Sequence, residues 1–191
     1  MNPPLVSILV AALLVGRTQA ASPAKTAKRR PSKTAFSLQS SAFKSGGTIP
    51  DLNTCRGEDA SPPLAWTQAS RGTKSFALIM DDPDAPAGTW IHWVLYDLPP
   101  EAAALPAGLP KAESLPDGSK HGRSWGVDAF ERSGYYGPCP PPGRVHHYSF
   151  RLYALDRMLG LPPGQASKAA LLKAMKGHIL GQAELVGLYR R

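Results

Sequence analysis

The fold is decided by the stretch Lys74-Ser-Phe-Ala-Leu-Ile-Met-Asp-Asp-Pro-Asp-Ala-Pro86 and by Trp90-Ile-His-Trp-Val-Leu-Tyr96, which closely follows it. Continuously apolar runs of this length, bounded by glycine, aspartate and proline, are typical of buried strands. The two prolines of the first stretch fix φ at about −65° and bias the residues before them toward extended conformations. The sequence therefore predicts two buried strands, residues 74–80 and 90–96, joined by a rigid loop.

A third strand is predicted from His146 to Tyr153, where side chains of different character alternate. Because successive side chains of a strand point to opposite faces, His146 and Tyr148 fall on an apolar face. His147 and Ser149 fall on the other face, which we expect to be turned to water together with Arg151 and Tyr153. The alternation thus separates two adjacent histidines.

The remaining elements complete an all-β prediction with small helical additions. Residues 168–175 have the apolar spacing of a helix, which Gly177 ends. Residues 183–189 are predicted to form a closing strand, and residues 99–122, rich in proline, alanine, glycine and serine, to form a loop. Strands separated by turns, with one clear helix, indicate a β-sandwich with small peripheral helices.

The composition agrees with a β-rich domain. The 191 residues include 20 prolines and 18 glycines, which argue against a helical bundle, and 42% of the chain is hydrophobic, enough for a core. The two cysteines, Cys55 and Cys139, are too few for a disulfide-dense scaffold or a four-thiolate zinc site.

The first 35 residues are predicted to lie outside the folded domain. The run from Pro3 to Val15 is almost entirely apolar but shorter than the roughly 20 residues that span a bilayer. Residues 1–20 therefore resemble a signal peptide that is cleaved near Ala20, which implies a periplasmic or secreted protein. Residues 21–35 are predicted to be a disordered basic linker that could touch an anionic membrane surface, and residues 36–191 form the domain.

The net charge of +8 belongs mostly to this N-terminal part. Six of the 22 basic residues lie at or before Lys33, whereas the first of the 14 acidic residues is Asp51, so residues 36–191 carry only about +2. A nucleic-acid-binding surface needs basic residues clustered on the folded part. We therefore expect no nucleic-acid partner.

A serine-hydrolase site and a metal site are the two kinds of catalytic site that the sequence could indicate. The pattern Gly122-Arg-Ser-Trp-Gly126 matches the G-x-S-x-G turn of serine hydrolases. That turn needs a strand before Ser124 and a helix after it, and neither is predicted here. The histidines and cysteines have no ligand spacing for a metal, so the sequence predicts neither an enzyme nor a metal or cofactor site.

A set of polar residues lies in apolar or proline-rich sequence, where each needs a partner. Its members are Asp82, Asp84, His92, His146 and Tyr148, and the loop Gly137-Pro-Cys-Pro-Pro-Pro-Gly143 precedes the last two. Taken singly, each residue is interpreted as a turn cap or a satisfied core residue. Together they suit an anion pocket, since imidazoles and a phenol donate hydrogen bonds and a carboxylate orients an imidazole.

The chain resembles the phosphatidylethanolamine-binding protein family, in its bacterial Raf-kinase-inhibitor-like branch. The resemblance runs from about Phe36 to Arg191. It is carried by the two strands quoted first, by Ser61-Pro-Pro-Leu-Ala-Trp66, by Gly134-Tyr-Tyr-Gly-Pro-Cys-Pro-Pro-Pro-Gly143, by His146-His-Tyr-Ser-Phe-Arg-Leu-Tyr-Ala-Leu-Asp156 and by Gly177-His-Ile-Leu-Gly-Gln-Ala-Glu-Leu-Val-Gly187.

The resemblance implies an antiparallel β-sandwich with a pocket for phosphate-like anions, including phospholipid head groups. Position by position, it implies a pocket formed by Asp82, Trp90, His92, Cys139, Pro141, His146 and Tyr148. Cys139 stands where eukaryotic relatives have glycine, and the chain ends without the C-terminal helix of mammalian members.

The resulting hypothesis is a non-catalytic module that binds phosphate or a phosphorylated head group and could regulate a partner protein. The alternative is a protease or kinase inhibitor that acts through surface loops, with the pocket only structural. In an oxidising compartment, Cys55 and Cys139 could form a disulfide if their Cα atoms lie within about 7 Å; two buried free thiols are the other interpretation.

Overall fold

A computed structural model of the chain describes Met1 and residues 36–67, 69–127 and 132–191. The predicted signal peptide and linker lie outside the described residues. The described part contains ten strands: β1 Leu38–Gln39, β2 Leu64–Trp66, β3 Ser75–Asp82, β4 Trp90–Leu98, β5 Ala104–Leu105, β6 Lys120–His121, β7 Arg123–Ser124, β8 Arg132–Ser133, β9 His146–Leu155 and β10 Ile179–Tyr189. It also contains one α-helix, α1 Lys168–Met175, and 3-10 turns at Asp51–Asn53 and Pro163–Gln165.

The centre of the fold is a five-stranded antiparallel sheet with the order β10-β9-β3-β4-β6. A small antiparallel sheet of β1, β2 and β5 lies apart from it in hydrogen bonding, and β7 pairs with β8. The predicted mainly β, antiparallel architecture with small helical additions is confirmed.

Both faces of the central sheet are buried. On one face, Phe76, Leu78 and Met80 of β3 belong to the larger core, which also contains Trp66 of β2. On the other face, residues between them, such as Ile79, belong to a second core that contains buried residues of α1. A strand covered on both faces has no polar side to display, which explains the continuously apolar sequence of β3.

The second core corrects the expected water-facing side of β9. His147 is exposed as predicted, but Ser149 and Tyr153 are each 6% exposed. Tyr153 packs in the second core, so α1 and its neighbouring loops cover the face that the alternation assigned to solvent. Strand periodicity separates the faces but cannot show what covers each one.

The predicted boundaries also change in two places. The stretch 99–122 is not loop throughout, since it contributes β5 and β6 to the two larger sheets. The closing strand β10 begins at Ile179 and pairs with β9 over nearly its whole length. The strands β5 and β6 and the first residues of β10 form by pairing with other segments of the chain. Local composition gives little indication of such pairing.

Helix α1 agrees with its sequence pattern. The side chain of Ser167 accepts a hydrogen bond from the backbone N–H of Ala170 and caps the N-terminus. Leu171 and Met175 are buried, and Gly177 adopts a φ of +81° after the helix ends. Within the described ranges, no helix is long and apolar enough to span a membrane.

Candidate functional site

A cavity of about 300 Å³ lies where β3 ends and where β4 and β9 begin. Because these strands are neighbours in an antiparallel sheet, the end of β3 lies beside the starts of the other two. The structure places all seven residues predicted for the pocket around this cavity. The lining is formed by Asp82, Ala85, Pro86, Ala87, Trp90, His92, Trp125, Cys139, Pro140, Pro141, His146 and Tyr148.

Asp82 holds the imidazole of His146 in place. The Nδ1 of His146 lies 2.8 Å from Oδ2 of Asp82, and both side chains are nearly fully buried. The other carboxylate oxygen of Asp82 accepts a hydrogen bond of 2.8 Å from the backbone N–H of Asp84. With Nδ1 engaged by the carboxylate, Nε2 is the ring nitrogen of His146 that is left for a ligand.

His92 is anchored to the backbone instead of to a carboxylate. Its Nδ1–H donates a hydrogen bond of 2.6 Å to the carbonyl of Tyr136, whose own N–H donates to the carbonyl of His92. Burial lowers the pKa of His92 below its usual value, although the Tyr136 carbonyl and the negative charge of Asp82 oppose this effect. The ring is therefore neutral at neutral pH, and its Nε2 is an acceptor.

Tyr148 supplies a hydrogen-bond donor beside the two imidazoles. Its ring centroid lies 5.2 Å from that of His92 and 6.5 Å from that of His146. Its hydroxyl is buried and close to the carboxylate of Asp82, but it forms no hydrogen bond of normal length and angle within the described part of the chain. Burial, followed by the negative charge of Asp82, raises the pKa of this phenol, so it stays protonated. A buried hydroxyl without a partner is a ready contact for a ligand oxygen.

The remaining walls of the cavity are apolar. They consist of the loop residues Ala85, Pro86 and Ala87, the prolines at 140 and 141, and two tryptophan rings. The cavity thus has a polar end, formed by a carboxylate, two imidazoles and a phenol, and a wall without charge. It suits a small polar or anionic group that carries a short apolar substituent.

Trp125 is a lining residue that the sequence prediction missed. Its backbone has a φ of +67°, and its N–H donates a hydrogen bond of 2.7 Å to the carbonyl of Ile91 in β4. The ring meets those of Trp90 and His92 edge to face, each at a centroid distance of 5.7 Å. The available signal was a large aromatic side chain beside a glycine, since Trp125 stands between Ser124 and Gly126. The G-x-S-x-G pattern was considered only for its serine.

That neighbour, Ser124, is not placed to act as a nucleophile. It is fully buried in β7, and its hydroxyl donates a hydrogen bond of 2.9 Å to the carbonyl of Gly134. The serine connects β7 to the segment that follows β8 and does not line the cavity. The hydrolase alternative therefore has no support from this residue.

Asp84, which the sequence grouped with the pocket, lies outside the cavity lining. Its Oδ2 accepts hydrogen bonds from the backbone N–H and from Nδ1 of His147, at 2.8 and 2.7 Å. The hydrogen bond from the His147 side chain is the main cause that lowers the pKa of Asp84. This pair ties the loop after β3 to the exposed side of β9, so Asp84 supports the pocket from outside.

The loop that carries Cys139 rests on the segment around the first 3-10 turn. The sulfur atoms of Cys55 and Cys139 lie 2.03 Å apart in the structure, and their Cα atoms lie 5.4 Å apart. The backbone N–H of Cys55 donates to the carbonyl of Pro138, and the hydroxyl of Tyr135 donates to the carbonyl of Asn53. One wall of the cavity is thus braced by residues that are about 80 positions earlier in the sequence.

Metal-binding geometry is absent from the parts of the chain that the structure describes. No group of three or more histidine, cysteine, aspartate or glutamate side chains there could hold a metal ion. The polar end of the cavity has only one carboxylate within reach of its imidazoles, and Nδ1 of each ring is already engaged. Its chemistry is therefore hydrogen bonding and charge pairing.

Comparison with known proteins agrees with this architecture. Residues 39–190 match the family model described as phosphatidylethanolamine-binding protein. A protein of Methanothermobacter thermautotrophicus, named UPF0098 protein, is 52% identical over 156 residues, which cover 82% of this chain and 99% of the relative.

Two further matches come from bacteria. The crystal structure of Escherichia coli YbcL, described as a new member of the mammalian PEBP family, superposes with a TM-score of 0.73 at 30% identity and covers 82% of this chain and 98% of that one. A candidate lipoprotein of Mycobacterium tuberculosis, LppC, is 36% identical over 162 residues, which cover 83% of this chain and 74% of the relative.

Proposed function

The chain belongs to the phosphatidylethanolamine-binding protein family, and we propose that it is a non-catalytic binding module whose pocket takes phosphate or a phosphorylated head group. Family membership supports a binding role. The finer assignment rests on one observation: two imidazoles and an unpartnered, buried tyrosine hydroxyl meet at the polar end of a cavity of about 300 Å³.

The charge state of the pocket limits which anions it takes. With the His92 ring neutral, its Nε2 accepts a hydrogen bond, as the carboxylate of Asp82 does, and the hydroxyl of Tyr148 donates one. A fully deprotonated phosphate has only acceptors and would be repelled by Asp82. The favoured ligand therefore carries its own proton, or its binding draws a proton onto an imidazole.

A phosphate monoester in its monoanionic form satisfies these requirements. Its P–OH group donates to an Nε2 atom, and a second oxygen accepts from Tyr148. The apolar wall, which includes Trp90, Trp125 and Pro141, then contacts the alcohol substituent. Because the wall offers contact area, a small phosphorylated alcohol should bind more tightly than inorganic phosphate.

The experiment is a calorimetric titration of the full chain with phosphoethanolamine, inorganic phosphate and ethanolamine, each at pH 6. We expect saturable binding of the two phosphate compounds, tighter for phosphoethanolamine, and none for ethanolamine. The substitutions His92→Ala and His146→Ala should each abolish it. The three compounds also distinguish a head-group site from a site for free phosphate.

His178→Ala is the matched control for these variants. His178 also pairs with an aspartate, at 2.9 Å from Asp156, but it lies outside the cavity lining. Binding that survives in this variant and disappears in His146→Ala would be specific to the pocket. No binding of any compound at millimolar concentration would contradict the proposal and favour the alternative, an inhibitor that acts through surface loops.

We also propose that the chain is exported to the periplasm or secreted, and that Cys55 and Cys139 pair there. The apolar run of residues 3–15, the relative LppC with its lipoprotein name, and the 5.4 Å between the two Cα atoms support this proposal. Alkylation of the exported chain without reductant should label neither cysteine. Labelling of both, or retention of the chain in the cytoplasm, would contradict it.

A further inference from the structure

One peptide group connects a second carboxylate to the pocket. The carbonyl of Tyr136 accepts the hydrogen bond from Nδ1 of His92, at 2.6 Å. The N–H of the same peptide group, which belongs to Gly137, donates a hydrogen bond of 2.6 Å to Oδ1 of Asp59. Since the C=O and N–H of a trans peptide point in opposite directions, the carboxylate and the imidazole lie on opposite sides of one amide.

We infer that Asp59 is a positioning residue for the pocket, acting on His92 through the Tyr136–Gly137 peptide group. Its carboxylate holds the peptide group whose carbonyl orients the imidazole, and it favours the protonated ring in the case where anion binding draws a proton onto His92. Hydrogen bonds in a chain polarise one another, so a charged acceptor at one end strengthens the bond at the other. The consequence for ligands rests on the proposed anion-binding function, whereas the relay is present without a ligand.

In this arrangement, each of the two pocket histidines has a carboxylate on the Nδ1 side of its ring. Nδ1 of His146 meets the carboxylate of Asp82 directly, at 2.8 Å. Nδ1 of His92 reaches the carboxylate of Asp59 through one amide. In both, the hydrogen bond at Nδ1 leaves Nε2 for the ligand and places negative charge behind the ring.

The local backbone is shaped to make this contact. Asp59 has a φ of +53°, a left-handed conformation that few residues other than glycine, asparagine and aspartate adopt readily. A Cβ at Gly137 would lie 2.2 Å from the carbonyl oxygen of Asn53, so only glycine fits there. These two positions bring the segment before Ala60 close against the loop that carries Tyr136.

Lys111 moderates the charge of Asp59. Its Nζ lies 2.5 Å from Oδ2 of Asp59 and 4.1 Å from the centroid of the Tyr136 ring. This cation does not replace the hydrogen bond to Gly137, because it uses the other carboxylate oxygen. The charged and titratable groups around His92 are Asp82 and Asp81 of β3, His146 and Tyr148 of β9, Asp59, and the cations Lys111 and Arg132 that lie over the Tyr136 ring.

The test compares Asp59→Asn with Lys111→Met in the full chain. Asparagine tolerates the left-handed backbone and keeps an oxygen for the N–H of Gly137, so the first variant removes the charge alone. The second removes the cation and leaves the relay in place. The pH midpoint of the His92 ring is followed by ¹⁵N NMR between pH 4 and 8, without ligand and with inorganic phosphate, and the unfolding free energy of each variant is measured beside it.

We expect the His92 midpoint to fall by about 0.5–1 in Asp59→Asn and to rise in Lys111→Met. Phosphate affinity at pH 6 should fall about 3- to 10-fold in Asp59→Asn. If Asp59 has only a structural role, Asp59→Asn will lower the free energy of unfolding and leave the pH midpoint of His92 unchanged. That result would overturn the inference. A midpoint that moves in neither variant, or that lies below pH 4 in the unaltered chain, would overturn it as well.

The two proposals fail separately. If the midpoint shifts as expected but phosphate does not bind the unaltered chain, the relay stands and the proposed function is wrong. If phosphate binds equally to both variants and the unaltered chain, the proposed function stands and Asp59 is not a positioning residue.

Discussion

Adjacent aspartates at the end of β3 face opposite sides of the central sheet and have contrasting surroundings. Asp81 is 1% exposed and meets two permanent cations: Nη1 of Arg151 lies 2.9 Å away, and Nζ of Lys168 is also in contact. Asp82 is also buried, but its side-chain partner is the imidazole of His146 and not a permanent cation. Asp82 lines the pocket described above, and Asp81 does not.

The difference separates a carboxylate that holds two elements of the fold together from one that lines the candidate pocket. The charge of Asp81 is fully compensated, and Lys168 connects the first turn of α1 to the sheet, so this cluster holds the helix in place. Asp82 has an imidazole and a backbone N–H as its hydrogen-bond partners in the described part of the chain, so a ligand can still change the charge balance around it. Burial alone does not distinguish two such residues; the titratability of the partner does.

The largest effect on stability is expected from Asp81→Ala. It would leave the cations of Arg151 and Lys168 beside a buried cavity and release α1. Because both cations are more than a quarter exposed and can turn to water, we expect a loss of about 2–3 kcal/mol in the unfolding free energy, less than for a fully buried pair. Urea denaturation measures this loss.

Glu184→Gln is the control for this variant. Glu184 forms the exposed arm of the same cluster, 2.9 Å from Nε of Arg151, and its loss should cost about 0–1 kcal/mol. Phosphate affinity should be unchanged in both folded variants. If Asp81→Ala loses phosphate affinity without losing stability, Asp81 acts in binding, and the distinction between the two aspartates is wrong.

Asp82→Asn should weaken ligand binding strongly and change stability little, the reverse of what is expected for Asp81→Ala. The amide can still accept the hydrogen bond from Asp84, so the stability change should be about 1 kcal/mol. It no longer places negative charge behind the His146 ring, so phosphoethanolamine affinity should fall at least about 10-fold. Calorimetric titration and urea denaturation of the same sample separate the two effects. A variant that binds normally would show that Asp82, like Asp81, has only a structural role.

The smallest effect is a dependence of stability on pH, to which His92 and His121 both contribute. Burial lowers the pKa of both residues below the usual 6.5, and both donate Nδ1–H to a backbone carbonyl. A histidine with a lowered folded pKa binds its proton more readily in the unfolded chain. Stability should therefore fall as the pH drops below about 6.5, and it should be fully present above that value.

Phosphate should separate the two histidines, because only His92 lines the pocket. At pH 5.5, saturating phosphate should raise the urea midpoint of the unaltered chain and of His121→Gln, but not of His92→Gln. Equal stabilisation of all three proteins would show that phosphate acts as a general salt. A urea midpoint that is flat from pH 5 to 7 would contradict the burial of neutral imidazoles.

The sequence was sufficient for the strands that contain the pocket residues. The continuous apolar runs predicted β3 and β4, and the alternation in β9 placed His146 and Tyr148 on one face and His147 on the other. The polar set read from the residues alone already contained Asp82, His92, His146 and Tyr148, and the family resemblance added Trp90, Cys139 and Pro141. These features are local, since each depends on the periodicity of one segment or on a contiguous motif.

The features that were missed depend on distant contacts. Tyr153 is buried because it packs in the second core with residues of α1, and Trp125 lines the pocket with a left-handed backbone whose N–H donates to β4. Asp59 contacts the pocket loop across 78 positions of sequence. No pattern within a single segment indicates such a contact.

By itself the sequence determined which segments are strands, which faces are apolar and which polar side chains share a face, because strand and helix periodicity are properties of neighbouring residues. Only the tertiary structure decided which carboxylate serves which base: Asp82 for His146, Asp81 for Arg151 and Lys168, and Asp59 for His92 through one amide. Those assignments depend on hydrogen bonds and ion pairs between atoms from different elements, which form only when the sheet, the helix and the loops have packed together.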